Sequence, residues 1–455
     1  MSHSVSLFGA MFASSDHGEL WSPRAWLQAM LDVEAAVAGA QAEMGVIPQV
    51  AANKIASTCR AELFDLAEIS CAARKAGNPA IPLIAALTKE VNRHDPKASS
   101  YVHYGITSQD IIDTATSLLA RQAFSQMERD LAAAEGALVS IVERHAATPM
   151  IGRTLLQQAV PTTMGLKAAS WIASLDFAHR RLKEAAREAA AVQIGGAVGT
   201  LGAVTDGRRL IVSVASRLGL RAAPPWHTMR NRTVDLASAL AILCGAIGKI
   251  ARDVGLLMQS EVGEAYEGRE QGRGGSSAMP HKRNPVNSTF ILANAFRAPG
   301  LAATLMSSMV QEHERGQGGW HAEWETLQQL FCLAAGSAEH LNDLIQGLEI
   351  DEGRMAANLS SAQELWASEA VSLALVEGMG RERAQSIVET ACRKAISTGE
   401  TLGSILGKQP DAIALLGEDL GGLLEVDQTL RNVPEIIDMI LAEYRAKQTD
   451  DEGAQ

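Results

Sequence analysis

The chain is organised around the stretch Gly272-Arg-Gly-Gly-Ser-Ser-Ala-Met-Pro-His-Lys-Arg-Asn-Pro285, which lies between two long segments in which proline is rare. Its three glycines permit positive φ, so we expect the loop 272–285 to open and close as a flap. The hydroxyl groups of Ser276 and Ser277 are followed within a few residues by Lys282 and Asn284. A Gly-rich turn with nearby cations stabilises an anion through its N–H groups. That anion is a bound carboxylate, a charge developing on substrate, or a serine alkoxide.

The same composition is compatible with a Gly/Ser linker that carries a solvated Lys-Arg pair. The complete string Gly275-Ser-Ser-Ala-Met-Pro-His-Lys-Arg-Asn284 is more specific. It resembles the signature loop of the fumarase/aspartase superfamily, G-S-S-x-M-P-x-K-x-N. The resemblance implies that Ser276 is the base that removes a proton from the carbon α to a carboxylate. It also implies that Lys282 and Asn284 hold that carboxylate as its aci form develops.

Composition sets the fold class and excludes some partners. Of the 455 residues, 47% are hydrophobic but only 4% are aromatic, which favours a protein of Ala- and Leu-rich helices over a sheet protein. The formal charge of −12 argues against nucleic-acid and anionic-membrane partners. An anionic substrate therefore requires a locally basic pocket.

The five cysteines are scattered and never spaced as C-x-x-C, which is typical of reduced thiols in a cytoplasmic protein and predicts no metal site. The N-terminus lacks the basic and apolar regions of a signal peptide, and no 18-residue apolar run is free of charge. We therefore expect a cytoplasmic protein without a membrane span.

Proline spacing predicts long helices. A first helix is expected to start at Ser22-Pro23, as N-cap and first turn, and to end at Gly45. Further on, proline-free segments rich in Ala, Leu, Glu, Arg and Met predict helices longer than usual. Helices of this length and composition are expected to bury faces against copies of the same chain. The five long helices are predicted near 110–147, 162–193, 230–265, 286–312 and 320–348.

The stretch Tyr101-Val-His-Tyr-Gly-Ile-Thr-Ser-Gln-Asp110 precedes the first of these long helices. Thr107 or Ser108 is predicted to cap that helix, and free N–H groups beside two hydroxyls also form a carboxylate site. The stretch resembles the first shared region of the superfamily, where a Thr-Ser pair binds a substrate carboxylate. His103 is then either a structural hydrogen-bonding residue or a site residue.

A second stretch, Gly152-Arg-Thr-Leu-Leu-Gln-Gln-Ala-Val-Pro161, resembles the second shared region of the superfamily. In fumarases and adenylosuccinate lyases a histidine follows the Arg-Thr and acts as general acid. Here Leu155 stands in that place and cannot donate a proton. An enzyme that expels a weakly basic anion such as a carboxylate needs no such donor.

The stretches Gly77–Pro82, Pro225–Arg232 and Gln311–Thr326 resemble one branch of the superfamily, the bacterial 3-carboxy-cis,cis-muconate cycloisomerases. Members of that branch also lack the histidine. The resemblance implies lactone closure by one substrate carboxylate, without a metal or organic cofactor. Besides Thr107, Ser108 and His103, the residues proposed to bind the other carboxylates are Gln158, Arg230 and Arg315.

The resemblance also implies an all-α fold of three domains: 1–109, a central bundle at 110–350 with the signature loop, and 351–455 with a disordered tail. It further implies a homotetramer with a twenty-helix core, in which three subunits contribute the shared regions of each active site. Two alternatives stay open. One is another lyase, such as an adenylosuccinate-type enzyme with His94 as the acid, and the other is a non-catalytic scaffold.

Overall fold

The structure is a computed structural model that describes residues 8–269, 274–275, 279 and 282–453. These residues form mainly α-helices, as composition predicted. The strands are β1 (Pro149–Thr154), β2 (Gln157–Thr163), β3 (Ala265–Tyr266) and β4 (Glu349–Ile350). The helices are α1 (Ser15–Leu20), α2 (Pro23–Glu43), α3 (Gln49–Thr58), α4 (Leu66–Ala76), α5 (Ala80–His94), α6 (Pro96–Ser99), α7 (Ser108–Arg144), α8 (Met164–Ala189), α9 (Gly207–Leu218), α10 (Asn231–Leu257), α11 (Val286–Ser307), α12 (Gly319–Gln346), α13 (Glu352–Ser361), α14 (Ser368–Met379), α15 (Arg381–Thr398), α16 (Leu402–Leu406), α17 (Pro410–Leu416), α18 (Asp419–Leu423), α19 (Val426–Leu430) and α20 (Val433–Gly453).

The first predicted helix is α2, and its start agrees with the prediction. Ser22 is the N-cap residue, and its Oγ accepts a hydrogen bond from the N–H of Ala25 at 3.2 Å. Pro23 occupies the first turn, where a missing N–H costs nothing. Helix α2 ends at Glu43, close to the predicted Gly45.

The five predicted long helices are α7, α8, α10, α11 and α12, which contain 37, 26, 27, 22 and 28 residues. Contacts join them in pairs: Arg181 Nη2 lies 2.7 Å from Asp235 Oδ1, and Asn294 Nδ2 lies 3.2 Å from Ser337 Oγ. Helix α10 ends well before the predicted residue 265, because the chain turns at Gly263 (φ +64°) to enter β3.

Helix α10 is, among the described helices, the one that by length and composition alone is able to cross a membrane. Its most apolar window has a mean hydropathy of 1.8, but 67% of that window is buried within the fold. Leu236, Leu240, Leu243, Ile247 and Val254 recur at helical spacing and are buried. Burial of this kind is what the core helix of a globular domain shows.

The chain divides into two compact units, and the change from one to the other falls inside each of the five long helices. The first unit consists of residues 1–132, 177–248 and 289–342, and the second of 133–176, 249–288 and 343–455. The three predicted domains, 1–109, 110–350 and 351–455, follow different boundaries and stay a prediction.

The second unit contains both small sheets, which add strands that the sequence did not predict. Strands β1 and β2 form an antiparallel hairpin, and β3 pairs antiparallel with β4. The hairpin carries the second shared region, and β3 leads into the signature loop. Both sheets therefore adjoin segments that carry predicted site residues.

The C-terminal helices of the second unit have their own core, formed by residues such as Val371, Leu375, Val388 and Leu406. Helix α20 is described as far as Gly453, and the disordered tail predicted from residue 449 stays a prediction. Helix α20 is tied to α7 by a contact of 2.7 Å between Arg445 Nη2 and Glu143 Oε1.

Candidate active site

Within the first unit, the start of α7 brings two predicted site residues together. The side chain of Arg315 is exposed, and its Nη2 donates a hydrogen bond to the hydroxyl of Thr107 at 2.9 Å. Thr107 precedes the helix, as predicted, and its N–H donates to Asp110 Oδ2 at 3.1 Å. Ser108 is the first helical residue. A helix N-terminus, two hydroxyls and an arginine are groups that suit a carboxylate, and contact of Thr107, Ser108 and Arg315 with a substrate stays a prediction.

Asp110 was not predicted as a site residue, yet it fixes the backbone beside Arg315. Its fully buried carboxylate accepts hydrogen bonds from the N–H groups of Gly195 (2.9 Å) and Gly196 (2.8 Å). Arg315 Nη2 also lies 3.4 Å from the carbonyl oxygen of Ala197. The loop after α8 is thereby held next to Thr107. An acid three residues after an N-cap threonine is the capping-box signal, which predicts the bond from the Thr107 N–H but not the contacts with Gly195 and Gly196.

Gly195 also shows why this loop is so tightly placed. A Cβ at Gly195 would lie 2.4 Å from His227 Cε1 and 2.9 Å from Pro225 Cβ. Only a glycine therefore fits at this position.

His103 is paired with a buried carboxylate in the first unit. Its Nδ1 lies 2.6 Å from Glu34 Oε1, and Glu34 is 1% exposed. The backbone of His103 is left-handed (φ +59°), a conformation that is uncommon for residues other than glycine. The pair orients the imidazole, and contact between His103 and a substrate stays a prediction. His94, the other candidate acid, is exposed and lies 3.5 Å from Glu90.

Arg230, predicted to bind a substrate carboxylate, is already paired with two carboxylates in the structure, and its contact with a substrate stays a prediction. Arg230 is 3% exposed and lies between two carboxylates, with Nη1 2.8 Å from Asp113 Oδ2 and Nε 3.0 Å from Glu323 Oε1. Burial alone would lower the pKa of Arg230, but Asp113 and Glu323 raise it above its ordinary value. Trp320 Nε1 donates to Asp113 Oδ1 at 2.9 Å. Arg230 is a charged core residue whose donors are already used.

In the second unit, the β1–β2 hairpin presents the second shared region. Arg153 makes two contacts of 2.8 Å with the carboxylate of Glu264, which is fully buried and also accepts a hydrogen bond from Asn358 at 2.7 Å. Gln158 lies opposite Arg153 in the strand register, and its side chain is exposed. Arg153 therefore fixes the hairpin, and the predicted contact of Gln158 with substrate stays a prediction.

The tip of this hairpin has an unusual composition. Leu155 and Leu156 both have positive φ (+49° and +66°) and are 94% and 80% exposed. Two-residue hairpin turns of this kind strongly favour Asn-Gly, because L-residues with larger side chains are strained there. Leu155 thus presents an apolar side chain in the place where the superfamily resemblance puts the acid.

Only the edges of the signature loop belong to the described residues. Ser276 lies outside them, as does Gly272, so the flap predicted from the glycines at 272, 274 and 275 stays a prediction. The carbonyl oxygen of Gly274 accepts two hydrogen bonds from Asn284, one from its N–H (3.1 Å) and one from Nδ2 (3.2 Å). These bonds close the base of the loop. Gly274 is left-handed (φ +68°), and a Cβ there would lie 2.9 Å from the Asn284 carbonyl oxygen.

Lys282 and Asn284, the two residues predicted to hold the aci-carboxylate, differ in their hydrogen bonds. Lys282 is exposed, and its N–H donates to the carbonyl oxygen of Met279 at 3.0 Å. Asn284 uses one amide hydrogen to close the loop. A side-chain amide carries two donor hydrogens. Contact of Lys282 and Asn284 with substrate stays a prediction.

Comparison with known proteins agrees with these motifs. A model of the lyase family matches residues 13–300, and a model of the adenylosuccinate lyase C-terminus matches residues 364–440. The chain belongs to the fumarase/aspartase superfamily of lyases. The resemblance predicted from the signature loop is therefore confirmed.

Relatives of this superfamily member match it over nearly its whole length. The 3-carboxy-cis,cis-muconate cycloisomerase of Pseudomonas aeruginosa is 45% identical over 97% of this chain and 96% of its own. The nitrosuccinate lyase of Streptomyces davaonensis is 40% identical over 92% of this chain and 90% of its own. The crystal structure of the 3-carboxy-cis,cis-muconate lactonizing enzyme of Pseudomonas putida has a TM-score of 0.90 and 40% identity, and covers 97% of this chain and 99% of that one.

Proposed function

We propose that this protein is a cycloisomerase that closes 3-carboxy-cis,cis-muconate to a carboxymuconolactone, in the degradation of aromatic compounds through protocatechuate. The similarity to cycloisomerases along nearly the whole chain, in sequence and in structure, carries this conclusion. The absence of a proton donor at Leu155 fits it, because the reverse reaction expels a carboxylate. A cytoplasmic location is part of the same proposal.

Substrate and lactone are isomers as free acids; with ionised carboxylates, lactone closure takes up one proton, which comes from solvent. One substrate carboxylate forms a C–O bond to a carbon of the double bond, and the π electrons move toward the carbon α to another carboxylate. A proton delivered to that α carbon completes the lactone. Ser276 carries the proton, and Lys282 stabilises the aci-carboxylate that precedes protonation. Thr107, Ser108 and Arg315 bind a remaining carboxylate. Arg315 supplies the local positive charge that an anionic substrate requires in a chain of net charge −12.

We also propose that the working enzyme is a homotetramer with active sites shared between subunits. The long helices leave apolar side chains exposed in the single chain, among them Phe177, Ile242 and Phe296. Exposed apolar groups of this size on long helices are covered when copies of the chain associate. Light scattering at assay concentration tests the assembly, and a fully active monomer would contradict it.

The experiment that tests the reaction is an absorbance assay with three substrates. We expect the purified enzyme to consume 3-carboxy-cis,cis-muconate with a kcat/KM at least about 10²-fold above that for nitrosuccinate or adenylosuccinate, since each unpaired buried polar group costs several kcal/mol. Preferential turnover of nitrosuccinate would instead favour an eliminating lyase with another anionic leaving group, the activity in the name of one relative.

The contact between Arg315 and Thr107 leads to a specific prediction. Arg315→Ala is expected to raise KM roughly 10- to 100-fold, because a hydrogen bond to a charged group contributes about 1.5–3 kcal/mol. Steady-state kinetics measure the effect, with Arg217→Ala as the control, since Arg217 is exposed and paired with Glu43. An unchanged KM would remove Arg315 from the binding site.

Leu155 gives a second prediction. Leu155→His places an imidazole where related lyases hold their acid, yet kcat should not rise, because a carboxylate leaving group needs no proton. Leu156→His, at the neighbouring exposed turn position, is the matched control. A kcat that increases only in Leu155→His would show that protonation of the leaving group limits this enzyme.

A further inference from the structure

Arg283, which follows Lys282 in the signature loop, makes three contacts with the small β3–β4 sheet. Its Nη1 lies 2.8 Å from Glu349 Oε2, and its Nη2 donates a hydrogen bond to the carbonyl oxygen of Glu267. The guanidinium carbon also lies 4.9 Å from the centre of the Tyr266 ring. Planar stacking combined with two directed hydrogen bonds is a geometry that arginine provides and lysine does not.

The sheet that receives Arg283 joins two distant segments of the chain. Tyr266 of β3 is the register partner of Glu349 of β4, so Arg283 contacts both strands at one rung of the ladder. Its pairing with Glu349 lowers the pKa of that carboxyl group. Two contacts on the Tyr266–Glu349 pair and one on the adjacent Glu267 fix the position of Arg283 in several directions at once.

Glu267 connects the same sheet to the helix that follows the loop. Its carboxylate oxygens accept hydrogen bonds from the N–H groups of Asn287 (3.0 Å) and Ser288 (2.9 Å), in the first turn of α11. A carboxylate is favoured at a helix N-terminus by the unpaired N–H groups and the helix dipole. The strand before the loop and the helix after it are thus joined, and Arg283 lies between them.

The ion pair itself adds little to stability. The side chain of Glu349 is 49% exposed, and a pair of this exposure contributes at most about 1 kcal/mol. The arrangement therefore acts mainly by fixing the position of the chain rather than by adding stability. It fixes the backbone on the C-terminal side of the loop, next to Lys282.

We propose that Arg283 is a positioning residue, which sets the place of Lys282 by anchoring the end of the signature loop to the β3–β4 sheet. This inference rests on the proposed function, in which Lys282 stabilises the developing aci-carboxylate. A displacement of about 1 Å at a catalytic group costs on the order of 10²-fold in rate. Loss of the anchor acts mainly on the transition state, so its effect belongs in kcat.

The test begins with Arg283→Lys, which keeps the charge but loses the stacked, two-point geometry. We expect kcat to fall about 10- to 100-fold with a KM within about threefold of normal, while the thermal midpoint changes little. Arg383→Lys is the matched control, because Arg383 forms an exposed ion pair of 2.9 Å with Asp411 and should show no effect. Wild-type kcat in Arg283→Lys would overturn the proposal, and so would an equal loss in the control.

A second readout does not depend on the substrate. The N–H of Asn284 donates to Gly274, so its hydrogen exchange, followed by mass spectrometry of the peptide that contains it, reports on the loop base. Arg283→Lys should exchange at least about tenfold faster at this amide, because an unanchored segment opens more often. If the wild type fails to turn over 3-carboxy-cis,cis-muconate, the proposed function fails, but the exchange experiment still tests whether Arg283 anchors the loop. Unchanged exchange at Asn284 in Arg283→Lys would overturn the proposal for Arg283.

If Arg283→Lys does not fold, Glu349→Gln tests the same anchor. It removes the charge of the partner and leaves the contacts of Arg283 with Glu267 and Tyr266 in place. We expect a smaller loss of kcat, about two- to fivefold, with faster exchange at Asn284. Normal kcat together with normal exchange in this variant contradicts the proposal.

Discussion

Ser276→Ala is expected to lower kcat on the order of 10²- to 10⁴-fold, with little change in KM. The substitution removes the hydroxyl proposed to carry the proton, and it leaves unchanged Thr107, Ser108 and Arg315, which are proposed to bind a substrate carboxylate. An alcohol is a weak base, so the loop N–H groups and a cation such as Lys282 must stabilise its alkoxide. Steady-state kinetics at saturating substrate measure the loss directly.

The neighbouring hydroxyl is the matched control for that experiment. Ser277→Ala changes the same loop by the same atom, and its loss in kcat should be much smaller. Lys282→Ala should lower kcat and raise KM together, because it removes ground-state charge pairing as well. A Ser276→Ala enzyme with nearly normal kcat would place the base elsewhere, with His94 and His103 as the next residues to replace.

Arg230→Met is expected to destabilise the protein by about 3–5 kcal/mol, because it leaves the buried carboxylates of Asp113 and Glu323 without their partner. Chemical denaturation at a fixed protein concentration measures the change in the free energy of unfolding. Arg181→Met is the control, since Arg181 also contacts two carboxylates, Glu184 and Asp235, but is 42% exposed. That change should cost no more than about 1 kcal/mol.

The Arg230→Met penalty should also depend on pH. Burial raises the pKa of Glu323, and Arg230 opposes that rise in the intact protein. Without Arg230 the folded pKa of Glu323 lies further above its unfolded value of about 4.3. The folded variant then binds more protons than the unfolded chain, so its stability increases as pH falls from 7 toward 5. A penalty that stays constant over this range would show that Glu323 is not protonated in the folded variant.

The long helices could be predicted because their signal is local. Breaks rich in proline and glycine located the starts of α7, α8, α10, α11 and α12 to within two residues, although α11 contains Pro299. The β1–β2 hairpin could not be predicted in this way. Its turn consists of two leucines in left-handed conformation rather than Asn-Gly, so the residue types that mark a hairpin are absent from the sequence.

For the candidate site, too, local sequence signals could be recognised and contacts between distant residues could not. The signature loop and the Thr107-Ser108 pair were recognisable because their motifs are continuous in sequence. The role of Arg230 was not, because its partners Asp113 and Glu323 lie 117 and 93 residues away. A local pattern shows that a basic residue is present but does not show whether two distant carboxylates already surround it. Asp110 was overlooked for the same reason, since its partners Gly195 and Gly196 belong to a distant loop.

The measurement that tests the central claim most directly is proton NMR of the reaction of 3-carboxy-cis,cis-muconate in D₂O. We expect a γ-lactone as the sole product, with one deuterium per turnover at the carbon α to a carboxylate, since a solvent-exchanged hydroxyl delivers that proton. Recovery of unchanged substrate, or an acyclic product formed by elimination, would contradict it.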